Sequence, residues 1–60
     1  MVNKIVASIL ENEKRMAKLS ALNTTSAREQ AEKYVRAECL VNKVKLSESE
    51  IIKATVMIVG

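Results

Sequence analysis

The sequence predicts an all-α fold: a small three-helix domain that is oligomeric or docked on a partner. Three observations predict it. Proline is absent and the single glycine is residue 60, so no interior residue breaks a helix. Apolar residues along the first third recur with a helical period. Ser26 and Ser47 each stand three residues ahead of a glutamate, the pattern of a capping box. The hydrophobic fraction of 48% beside 28% charged residues is that of a folded chain rather than a disordered one.

Asn3 is placed to cap a first helix over residues 4–21. At about 100° per residue, Val2, Ile5, Val6, Ile9, Leu10, Met16 and Ala17 fall on one face. Lys4, Glu11, Arg15 and Lys18 fall opposite, and Glu11 with Arg15 makes a favourable pair one turn apart.

Asn23-Thr24-Thr25-Ser26 interrupts that pattern with side chains that bond their own backbone and favour turns. Ser26 and Glu29 then predict the start of a second helix over residues 27–42. Ala27, Ala31, Tyr34, Val35, Ala37, Cys39 and Val41 form its apolar arc, and the alanines predict close approach to a neighbour.

Residues 43–46 form the second connection. The capping box of Ser47 and Glu50 predicts a third helix over residues 48–59, apolar on most of its circumference. Ile51, Ile52, Thr55, Val56, Ile58 and Val59 are β-branched, so residues 54–59 also permit a strand.

A single domain over residues 1–60 buries only about 60% of the surface its unfolded chain exposes. Such domains are commonly stapled or paired. Cys39 is the sole cysteine and histidine is absent, so neither an internal disulfide nor a zinc-type ligand set is available. Self-association or docking on a protein partner is therefore expected. The net charge of +3 is spread along the chain and falls short of a nucleic-acid signature. The first apolar run ends at Glu11 with no cleavage site behind it, and no stretch approaches the ~20 apolar residues of a bilayer span. A cytoplasmic protein without a membrane role is expected.

Chemistry-bearing residues are few. Glu13 falls on the apolar face of the first predicted helix and Glu38 on that of the second. Two carboxylates brought together would shift each other's pKa and could hold a hard cation. Without aspartate, histidine or a further nearby acid, a structural or register role is expected instead. Cys39 lacks a base to make it a nucleophile and reads as a small buried hydrophobe. No enzymatic activity, no cofactor, no metal site and no small-molecule substrate are expected. Lys14, Arg15 and Lys18 form the densest basic cluster and are the candidate nucleic-acid contacts.

Lys45-Leu46-Ser47-Glu48-Ser49-Glu50-Ile51-Ile52-Lys53-Ala54 resembles the start of the last helix of ribbon-helix-helix repressors, over about ten residues. The resemblance implies an obligate dimer whose β-ribbon, here at residues 18–24, reads the major groove. A dimeric DNA-binding regulator is thus the alternative expectation.

The principal expectation is a small non-catalytic protein–protein interaction module, an adaptor, inhibitor or assembly factor acting through an apolar helix surface. The residues predicted to make that contact are Ile5, Ile9, Met16, Ile51, Ile52, Thr55, Val56, Ile58 and Val59.

Overall fold

The segment predicted as one helix over residues 4–21 folds as two. In the computed structural model, which describes residues 2–60, α1 spans Val2–Leu10 and α2 spans Glu13–Ser20. Asn12 causes the break. Its extended backbone leaves the helix, and its side-chain oxygen accepts a 3.1 Å bond from the Arg15 N–H, capping α2. The Asn12 N–H itself bonds the Ile9 carbonyl at 3.0 Å, tightening the last turn of α1. A continuous helix would have carried Glu13 onto the apolar face. The break turns it out to solvent in the first turn of α2, where a negative charge suits the helix dipole. Asn3, expected as a cap, lies inside α1.

The second predicted helix begins earlier than expected. α3 spans Thr24–Val41 and is capped by Asn23, whose side chain accepts from the Ser26 N–H at 2.9 Å. Ser26 therefore sits in the first turn, and its expected capping box with Glu29 does not form. Asparagine and serine cap about equally well, and starting at Asn23 adds a turn of backbone hydrogen bonds.

α4 spans Glu48–Val59 and is launched as its sequence predicts. Ser47 Oγ accepts from the Glu50 N–H at 3.3 Å while Glu50 Oε1 accepts from the Ser47 N–H at 3.0 Å. Residues 54–59 are helical, not a strand. Residues 18–24 hold the end of α2, a turn and the Asn23 cap, so the β-ribbon implied by the repressor resemblance does not form there. The described residues contain four helices and no strand.

The connection between α3 and α4 is a Schellman turn. Lys43 takes the left-handed conformation at φ 55°, its N–H bonds the Leu40 carbonyl at 3.3 Å, and the Val44 N–H bonds the Cys39 carbonyl at 2.9 Å. Glycine is the usual residue at that position because it has no Cβ to strain.

α3 is the spine. Its 18 residues are about 27 Å long at 1.5 Å each, close to the longest extent of the molecule, 29 Å. Ala27, Ala31, Val35 and Cys39 recur every four residues along its buried ridge, and Ala54 of α4 is wholly buried beside them. Small side chains there let α3 and α4 pack most extensively of all helix pairs. α1 inserts Ile5, Val6 and Ile9 against both. Leu19 is the one buried residue of α2, and the helical wheel did not single it out. Ile5, Ile9 and Val35 are fully enclosed, each contributing roughly 1.5–3 kcal/mol by leaving water.

The radius of gyration of 10.4 Å equals the roughly 10.4 Å expected of a compact 60-residue domain. A single copy closes its own core. Thr55, the one buried polar side chain, donates to the Ile51 carbonyl at 2.8 Å, and no buried polar side-chain atom is left unsatisfied among the described residues.

Candidate interaction surface

The most connected polar group is Glu38. Arg15 Nη1 donates to its Oε1 at 2.7 Å, while Ser8 Oγ and Asn42 Nδ2 each donate to Oε2 at 3.1 Å. The guanidinium of Arg15 also lies 4.9 Å from the centroid of the Tyr34 ring, a cation–π contact. Partial burial pushes the Glu38 carboxyl up. The hydrogen bonds from Arg15 and Ser8, with the charge of Arg15, outweigh it and hold the group below the usual carboxylate range.

Glu38 thus ties α1, α2 and α3 together. Glu13, its suggested partner in a cation site, is on the solvent side of α2 and is not among its contacts. Among the described residues no three metal-ligating side chains converge. Burial pushes the Cys39 thiol up, against the pull of the Arg36 charge, and the chain holds no histidine to act as its base.

Arg15, predicted as a nucleic-acid contact, is committed to Glu38 and Tyr34. Lys14 and Lys18 remain exposed on α2. Arg36 bridges helices instead: its Nη2 donates to Glu48 at 3.1 Å, and its Nε lies 3.6 Å from Glu32 on the preceding turn.

The structure separates the nine predicted contact residues. Ile5, Ile9, Ile51, Thr55 and Ile58 are buried in the core of the chain itself, and Met16 and Val59 are half-buried against it. Ile52 and Val56 stay open at 56% and 44% exposed. They stand one turn apart on α4 and, with Thr55, form one side of a shallow groove. Arg28, Glu29, Glu32 and Lys33 of α3 form the other side.

Two apolar residues that sequence reasoning did not select are more open still. Leu40 and Val41 are 81% and 78% exposed at the end of α3. Val41 had been expected on the buried arc. The signal that distinguishes this region is the run Leu40–Leu46, which contains two lysines and no acid.

Comparison with protein-family models, curated proteins and solved structures finds no match to the chain. No described helix is long and apolar enough to cross a membrane.

Proposed function

We propose that this chain is a small non-catalytic protein–protein interaction module, an adaptor, inhibitor or assembly factor that self-associates through the outer stripe of α4. The observation that carries the reading is the open pair Ile52 and Val56 beside the α3 groove, in a chain whose core is complete without them. Contiguous apolar surface of this kind is costly to leave in water and marks contact sites. Two basic residues, Arg28 and Lys33, and two acidic ones, Glu29 and Glu32, line the groove. Balanced charge around an apolar strip suits a second copy, because a twofold contact lets the acids of each copy meet the bases of the other.

Sedimentation equilibrium over a wide concentration range tests this. A mass rising from one chain to two, with the shift removed by Val56→Asp, is the expected result. A single-chain mass at every concentration overturns self-association through this stripe.

A further inference from the structure

The corner where α3 turns into α4 is unlike the balanced groove. Leu40 and Val41, the most exposed large apolar residues among those described, end α3 there. Beside them is a hollow lined by Arg36, Cys39, Leu40, Val44, Lys45, Leu46 and Ile51. Val44 also forms the wall of a second hollow, shared with Lys4, Ile5 and Asn42. Lys45 lines the first hollow and Lys4 the second, with Val44 common to both, and Lys43 lies in the turn just before Val44.

The charge here is one-sided. The nearby acids are already engaged, Glu38 by Arg15, Ser8 and Asn42, and Glu48 by Arg36. No carboxylate pairs with Lys4, Lys43 or Lys45 among the described residues.

We infer that this corner is a docking site for an acidic amphipathic segment of a partner protein. An apolar side chain of the segment enters the hollow between Leu40, Val44 and Leu46, and its carboxylates face Lys4, Lys43 and Lys45. Charge complementarity selects an acidic occupant and repels a second copy of the same corner. The open hollow has room for one apolar side chain between Leu40, Val44 and Leu46, the single-anchor contact that an amphipathic segment makes. The inference rests on the chain being an interaction module, but uses a different face from the α4 stripe.

Titration of the isotopically labelled chain, followed residue by residue by NMR, tests it. The probes are a synthetic amphipathic peptide of leucine, alanine and glutamate, its lysine-for-glutamate counterpart, and vesicles of phosphatidylcholine with phosphatidylglycerol. The acidic peptide is expected to shift Leu40, Val41, Val44 and Lys45. Leu40→Ser, at an exposed site that leaves the core intact, and the pair Lys43→Glu with Lys45→Glu should each weaken binding by about tenfold or more.

No shift with the acidic peptide, or equal binding of its lysine counterpart, overturns the site. So does a response to vesicles alone, which assigns the corner to lipid. Shifts confined to Ile52 and Val56 overturn it while leaving the interaction-module reading standing. A chain that is monomeric by mass yet binds the acidic peptide at Leu40 keeps this site and rejects self-association.

Discussion

Arg15 and Glu38 meet at 2.7 Å across α2 and α3, with side chains only 27% and 15% exposed. The short helix α2 adds one buried residue, Leu19, to the core, so this pair is a large share of what fixes it. Replacing Arg15 by alanine leaves a half-enclosed carboxylate short of its charged donor and should cost about 1–2 kcal/mol. A double-mutant cycle with Glu38→Gln, read from urea midpoints, should return a coupling of about 1 kcal/mol. A coupling near zero would make the pair ornamental.

Acid should weaken the same contact. The Glu38 carboxyl is held below its ordinary value when folded. The associated stability is therefore complete above the unfolded pKa of about 4.3 and is lost as pH falls through the lower folded value. Glu50, lowered by the hydrogen bond from the Ser47 backbone, acts in the same direction. Stability measured from neutral pH downward should fall in this window, and Glu38→Gln should flatten the fall.

Helix starts offer a sharper comparison. Asn23→Ala should cost about 1 kcal/mol because the cap on α3 is lost. Ser26→Ala should cost only a few tenths, since Ser26 contributes its backbone N–H and not its side chain to the cap. Thermal melts of the two variants decide which residue begins the helix. Equal losses would restore the expected Ser26 capping box.

Val56 and Ile58 are two residues apart on α4 and should respond in opposite ways. Ile58 is buried, so Ile58→Asp places an unpaired charge in the core and should unfold the chain. Val56 is open, so Val56→Asp should keep the circular dichroism of the parent while abolishing self-association. Unfolding of both would mean that the outer stripe belongs to the core.

Lys43 carries a backbone conformation that side chains resist. Lys43→Gly relieves it at φ 55°, though the added freedom of the unfolded chain offsets part of the gain. A net stabilisation of about 0.5–1 kcal/mol should raise the melting temperature by roughly 2–8 °C. The same change removes a charge from the proposed acidic-segment site, so binding there should weaken while the fold strengthens. A lowered melting temperature would show that the lysine side chain holds the turn.

The chain's own pattern made α4 the most legible element, because a capping box and the apolar run behind it are local signals. The beginning of α3 was less so: Asn23 and Ser26 are both competent caps, and their intrinsic preferences do not choose between them. The break at Asn12 was hidden by the good period on either side of it. Glu13 was the clue, since a continuous helix puts its charge among Ile5, Ile9 and Met16. Which α4 residues stay open was not legible at all. The wheel gives Ile51, Ile52, Thr55 and Val56 similar claims, and only the placement of α3 and α1 divides them. The exposed end at Leu40 and Val41 was missed for a related reason. An apolar arc read along a helix says nothing of where the neighbouring helices stop covering it.

The buried thiol of Cys39 gives this small protein a built-in clock. It lines the hollow at the α3–α4 corner with little exposure, reacts only as thiolate, and is disfavoured in that form by its partial burial. Its rate of alkylation is therefore expected to follow how far that corner is covered. An occupant seated over Leu40 and Val44 would slow the clock, and loosening of α4 would quicken it.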